Sequence, residues 1–106
     1  MPSIASVSRF RLATRPADAM EGTEILVNGG TRLIVANTDI AETSPKADNL
    51  AVVDVRAALA GKPALLGYIA SGQMPREFAV VPGGQYLLVA DNNSAQVQWV
   101  DLTKLP

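Results

Sequence analysis

The chain has 106 residues, 48% of them hydrophobic, 18% charged and 5% aromatic, which is enough apolar material for the core of one small domain. Nine Lys and Arg against ten Asp and Glu leave a net charge of −1, so neither nucleic acid nor a membrane surface is expected as a partner. With no cysteine and no histidine, disulfides, thiol nucleophiles, histidine triads and thiolate or imidazole metal sites are excluded, and no cofactor or metal is expected.

Residues 1–19 contain Arg9, Arg11 and Arg15 but no continuous apolar stretch of signal-peptide or membrane-span length. The compartment cannot be read. Residues 4–13 fit a strand, with Ile4, Phe10 and Leu12 on one face and Arg9 and Arg11 on the other. Seven further runs rich in Val, Ile and Leu, bounded by Gly, Pro, Asn and Asp, predict strands at 24–28, 32–37, 49–55, 65–70, 77–81, 86–90 and 96–102. Asn28-Gly29-Gly30-Thr31 and Pro82-Gly83-Gly84-Gln85 predict tight hairpin connections, because glycine reaches positive φ without strain. Asp91-Asn92-Asn93-Ser94 predicts another turn. Between 55 and 66 a single helical turn at Arg56-Ala57-Ala58-Leu59-Ala60, ended by Gly61 and Pro63, is the weaker alternative to strand.

These runs repeat. Gly29-Gly30-Thr31-Arg32-Leu33-Ile34-Val35-Ala36-Asn37 aligns with Gly83-Gly84-Gln85-Tyr86-Leu87-Leu88-Val89-Ala90-Asp91 at a spacing of 54, as do Ile25-Leu26-Val27 with Ala79-Val80-Val81 and Met20 with Met74. Downstream, Leu50-Ala51-Val52-Val53-Asp54-Val55 aligns with Val97-Gln98-Trp99-Val100-Asp101-Leu102 at a spacing of 47. The difference of seven is an insertion within the polar stretch 38–49 of the first copy.

Short connections imply antiparallel neighbours, yet Leu33-Ile34-Val35-Ala36 and Tyr86-Leu87-Leu88-Val89-Ala90 do not alternate apolar with polar. An antiparallel sheet with one wet face alternates cleanly. Continuous apolar strands therefore call for sheets covered on both faces, which blades stacked around an axis provide. A two-sheet sandwich is the competing architecture, but it leaves the repeat unexplained.

The stretch from Gly72 to Ser94 resembles a blade of the YVTN-type β-propellers, nearest to the lactonase-like (6-phosphogluconolactonase-like) branch. Its marks are Pro75-Arg76, the aromatic Phe78, the Pro82-Gly83-Gly84 turn, the Leu87-Leu88-Val89-Ala90 strand and Asn92-Asn93-Ser94. The likeness is good over 72–102 and looser over 20–55. It implies an all-β fold of two antiparallel four-stranded blades, in a family whose complete members carry about seven blades. In such relatives the arginine equivalent to Arg76 faces the central funnel, which implies a role in binding an anionic substrate. A guanidinium suits that task, since its planar fork bonds carboxylate or phosphate bidentately.

Arg76 is thus the leading candidate for binding a small anionic ligand, against a salt bridge to Glu77 or a contact between blades. Glu77 is a second candidate, although an arginine neighbour lowers a carboxylate's pKa and weakens it as a base. The first copy has Glu21-Gly22 at the place of Pro75-Arg76, so Glu21 and Glu24 read as solvated charges. Asn92 and Ser94 fit turn capping. Asp54 and Asp101, at equivalent strand ends, fit a repeated structural hydrogen bond. Trp99 fits packing between blades. Asp39, Glu42 and Asp48 lack the spacing of a calcium loop, and neither glycine pair is followed by the lysine and helix of a phosphate loop. No catalytic residue is assigned.

Two blades bury one layer and leave two apolar faces wet, whereas repeat arrays usually need at least ~3 units. The expectation is a homo-oligomer in which residues 4–13 supply the outer strand of the neighbour's final blade, a head-to-tail strand exchange that closes a ring. Three chains would give six blades and four would give eight, so a trimer or tetramer is expected. A truncated piece of a larger propeller is the alternative. Functionally, the chain reads as a propeller scaffold or binding module without catalysis, the alternative being a lactonase-like hydrolase or sugar-acid binder with an axial arginine.

Overall fold

In the computed structural model, which describes residues 20–39 and 48–106, the chain reverses at each glycine pair. Asn28, Gly29 and Gly30 take φ of 54°, 66° and 83° between β1 (Met20–Val27) and β2 (Arg32–Asp39). Gly83 and Gly84, at 100° and 76°, do the same between β5 (Pro75–Val80) and β6 (Tyr86–Asp91). With β3 (Asn49–Asp54), β4 (Leu65–Ala70) and β7 (Gln96–Asp101), these strands form two antiparallel sheets, β1-β2-β3-β4 and β5-β6-β7. The expected outer strand at residues 4–13 lies outside the described residues, and among those residues β7 pairs on one side only.

The sequence repeat is a structural one. A shift of 47 carries β3 onto β7 end for end. The backbone bond from Val55 N to Thr31 O (3.2 Å) recurs between Leu102 N and Gln85 O (2.8 Å). Asp54 and Asp101 close the equivalent strands as expected. Asp54 Oδ1 accepts from Ala57 N at 3.1 Å, and Asp101 Oδ1 accepts from Thr103 N at 3.0 Å. The cap on Asp54 starts a single helical turn, α1 (Val55–Leu59), so the helical alternative holds there; Gly61, at φ 71°, follows. Among the described residues no helix is long and apolar enough to cross a membrane.

Packing explains the unbroken apolar runs. Leu50, Ala51, Val52 and Val53 are all buried, so β3 is covered on both faces, as are Ile34, Val35 and Ala36 on β2. Between the sheets, Val27, Ile34, Ala36 and Leu50 meet Leu87, Val89, Val100 and Leu102, flanked by Ile25, Ile69 and Phe78. The second sheet is different. Its strand β6 alternates, with Leu87 and Val89 buried but Tyr86, Leu88 and Ala90 only half-buried. Its outer face is open. Trp99, expected between blades, projects there with 74% of its surface exposed and its ring stacked on Tyr86 at 5.8 Å.

This layer sets stability. Leu87→Ala, at a fully buried position, is expected to cost about 2–5 kcal/mol. Leu59→Ala, 85% exposed, should stay within about 0.5 kcal/mol. Urea denaturation of the two variants beside the native chain checks the contrast.

Candidate functional site

The candidate residues cluster where the chain enters β5. Pro75 fixes its own φ and offers no N–H, and it is fully buried. Met74, just before it, sits in the left-handed region at φ 58°, a conformation that disfavours any residue with a Cβ and persists only where neighbours over-determine it. Four hydrogen bonds do so. Met74 N donates to Asp48 Oδ2 at 2.7 Å, and Asn92 N donates to Met74 O at 3.0 Å. Gln73 N donates to Ser94 Oγ at 2.6 Å, and Thr38 Oγ1 donates to Pro75 O at 3.3 Å. Asp48 and Thr38 are both buried.

On this anchored base the strand slips register. Pro75 lies opposite Asp91 and Glu77 opposite Ala90, which leaves Arg76 as the extra residue. A bulge of this kind bends the strand and re-aims the side chain it carries. Arg76 is exposed and engaged by a neighbouring group, and Glu77 beside it is exposed. In the first copy β1 pairs with β2 without a slip from Met20 to Val27, and Gly22 stands at the position of Arg76. The bulge and its arginine therefore belong to the second copy alone.

The same end carries a repeated polar closure between the second and third strands of each sheet. Asn37 Nδ2 donates to Asn49 Oδ1 at 2.8 Å, and Gln96 Nε2 donates to Asp91 Oδ2 at 3.3 Å. Asp91 is completely buried, and its Oδ1 has no hydrogen-bond partner among the described residues. Gly72 packs over this pair: a Cβ there would lie 2.6 Å from Gln96 Nε2 and 2.9 Å from Asp91 Oδ2. An open pocket of about 280 Å³ lies alongside, lined by Asp91, Asn92, Ala95, Gln96 and Val97.

Of the expected site residues, Arg76, Glu77, Asn92 and Ser94 gather at this end. Ser94, expected as a turn cap, accepts from Gln73 N instead, and Asn92 joins this end through its backbone N–H on Met74 O. Glu24 lies apart, exposed on β1 opposite Val35. Asp54 and Asp101 cap the far ends of their strands. Asp48 gives one carboxylate oxygen to Met74 N, and among the described residues no three acidic groups converge on a metal position. The anchoring roles of Asp48 and Thr38 and the conformation of Met74 were missed by sequence reasoning. The one available signal was Asp48 at the end of a polar insertion, directly before an apolar strand.

Stacked antiparallel sheets related by a fixed repeat define a β-propeller segment. The family pattern described as "Lactonase, 7-bladed beta-propeller" matches residues 6–104, and the chain belongs to that family. Local likenesses also run to DNA mismatch repair proteins MutL. That of Geotalea daltonii is 40% identical over 73 residues, covering 69% of this chain and 11% of its own length. That of Geotalea uraniireducens is 44% identical over 71 residues, covering 67% and 11%. The Pelobacter propionicus protein is 63% identical over 30 residues, covering 28% and 5%. The chain thus spans about a tenth, or less, of the length of these relatives. No solved structure matches it.

Two outcomes test this geometry. Gly72→Ala should destabilise by about 1–3 kcal/mol as Gln96 and Asp91 are pushed aside, read as a lower urea midpoint. The Thr103 hydroxyl, 2.6 Å from Asp101 Oδ1, and the Thr103 N–H hold the Asp101 carboxyl below its ordinary pKa. A folded-state pKa below the unfolded value stabilises above the unfolded value and loses that effect as pH falls through the folded one. The stability difference between the native chain and Asp101→Asn should therefore be present at neutral pH. It should close below about pH 4, which denaturation at several pH values will show.

Proposed function

We propose that the chain is a β-propeller scaffold or binding module that completes itself by association with copies of itself and has no catalysis of its own. The observation that carries this reading is the second sheet, where β7 lacks a partner on its outer side among the described residues and the outer face is apolar and exposed. An edge strand offers a row of unpaired backbone donors and acceptors. Residues 4–13 of a neighbouring copy, a strand by pattern, fit that edge as a fourth strand. A head-to-tail contact repeated around an axis closes a ring, of three or four chains here. Light scattering should give three or four times the 11.1 kDa chain mass, and removal of residues 1–15 should abolish the assembly. A monodisperse species of single-chain mass would overturn the proposal.

Arg76 favours a second reading, a lactonase-like hydrolase or sugar-acid binder that seats an anionic group on the guanidinium. Its support is the bulge that presents Arg76 and the four hydrogen bonds that fix the strand entry below it. A charge-assisted bond to such an anion is worth roughly 1.5–3 kcal/mol, so Arg76→Ala should weaken sugar-acid binding by at least tenfold, measured by calorimetry. Sugar-lactone turnover by the native assembly, lost in that variant, would establish the hydrolase over the scaffold.

A further inference from the structure

We infer that the covered face of the second sheet binds a monovalent metal cation through Asp91 and Gln98. The register of β6 and β7 sets Leu87 opposite Val100, Val89 opposite Gln98 and Asp91 opposite Gln96. Cross-strand partners share one face of a sheet, and Leu87, Val89 and Val100 belong to the layer between the sheets. That face therefore passes from apolar at Leu87 and Val100 to polar at Asp91 and Gln96. Gln98 stands diagonal to Asp91, a placement in which Cβ atoms lie roughly 7–8 Å apart and long side chains can meet.

Each of the two side chains is held at one end and leaves an acceptor at the other. Asp91 Oδ2 accepts from Gln96 Nε2 at 3.3 Å, and Gln98 Nε2 donates to Ala70 O at 2.6 Å. The Ala70 carbonyl fixes which end of the Gln98 amide is oxygen, since a flipped amide would set oxygen against oxygen. Asp91 Oδ1 and Gln98 Oε1 are closed off from solvent and have no hydrogen-bond partner among the described residues. Two orphaned acceptors on one covered face call for an electropositive partner.

The first copy shows that the fold itself does not require them. Shifts of 54 and 47 residues carry Asn37 onto Asp91, Asn49 onto Gln96 and Ala51 onto Gln98. There the closure joins two neutral amides, Asn37 Nδ2 to Asn49 Oδ1 at 2.8 Å, and the small Ala51 stands at the place of Gln98. The second copy replaces an amide by a carboxylate and an alanine by a glutamine, and each change delivers one of the two unpaired oxygens. A carboxylate taken out of water persists where it is paired or coordinates a metal. Among the described residues no three acidic groups converge on a metal position. One carboxylate with an amide oxygen suits a single positive charge, sodium or potassium, rather than a divalent ion that gathers several carboxylates. The pocket along Asp91 and Gln96 gives the ion its way in.

The test is urea denaturation of the full-length chain in sodium, potassium and choline chloride at equal ionic strength, followed by circular dichroism. Choline is too large for the site and serves as the inert cation. The native chain should unfold at a higher urea concentration in at least one alkali salt than in choline chloride, and the gain should saturate. An ion at ten times its dissociation constant lowers the unfolding equilibrium constant about elevenfold. Asp91→Asn, which installs the amide of the first copy, should erase the difference between salts. Gln98→Ala, which installs the first copy's alanine, should shrink it, and decides alone if Asp91→Asn does not fold. Asp101→Asn, at the far strand end, should keep it in full. Equal midpoints for the native chain in all three salts would overturn the inference and leave internal water as the partner of the two oxygens. An alkali-specific gain undiminished in Asp91→Asn and Gln98→Ala would overturn it too, by placing the ion elsewhere.

Discussion

One apolar layer, Ile34 and Leu50 against Leu87 and Val89, is what the described fold depends on. All four are fully buried, and a buried aliphatic side chain contributes roughly 1.5–3 kcal/mol. Hydrogen bonds tie the sheets together at opposite ends of this layer. At one end Asn28 Nδ2 donates to Leu102 O at 2.9 Å; at the other Thr38 and Asp48 hold Pro75 and Met74. The centre is apolar and the ends are polar. That division of labour explains why the strands can be continuously apolar while, among the described residues, the Asn, Asp and Ser side chains that bond the backbone stand in turns and at strand ends.

A single layer also has a consequence. Burying one face of the second sheet leaves its other face with the same kind of residues and nothing of this chain's described part against it. In a globular domain an exposed Trp99 and Val97 on one strand would be an anomaly; in a repeat they are the next copy of Leu50 and Val52. Large exposed apolar patches mark interaction surfaces rather than idle ones. The wet face follows from the repeat itself, not from a local flaw in the sequence.

Much of this was legible in the sequence because a repeat reports each element twice. The strands and glycine turns came from apolar runs and their breakers and recurred in both copies, as did the aspartates Asp54 and Asp101, although β1 runs Met20–Val27 rather than 24–28 and β2 reaches Asp39 rather than 37. The bulge at Arg76 and the left-handed Met74 were not legible. Both depend on partners distant in the chain, Asp48 and Thr38, and neither leaves a local composition signal; a left-handed position usually announces itself as glycine. Ser94 misled for a related reason. Its place in a turn suggests a local cap, but the nearest donor in space is Gln73, brought up by the packing of another loop. The stretch 38–49 is polar by composition, yet Asp48, directly before β3, is buried and anchors the entry to β5.

The two copies also show where variation is tolerated. Along the second strand of each copy the apolar run keeps its character, Leu33 with Leu87, Ile34 with Leu88, Val35 with Val89 and Ala36 with Ala90, because each faces a packed neighbour or the place of one. The polar end diverges instead. Gly22 becomes Arg76, an unbroken pairing becomes a bulge, and the neutral Asn37–Asn49 closure becomes the buried Asp91 with Gln96. Gly72 is bare where Asp91 and Gln96 need the space. A change of that kind brings strain at Met74 and an unpaired oxygen on Asp91, neither of which helps the fold. Packing alone would have kept the simpler closure of the first copy. The second copy carries the more demanding arrangement beside Arg76, whose strand entry is fixed by Thr38, Asp48 and Ser94, and a shared fold leaves such local sites, not the fold itself, as the ground on which function is argued.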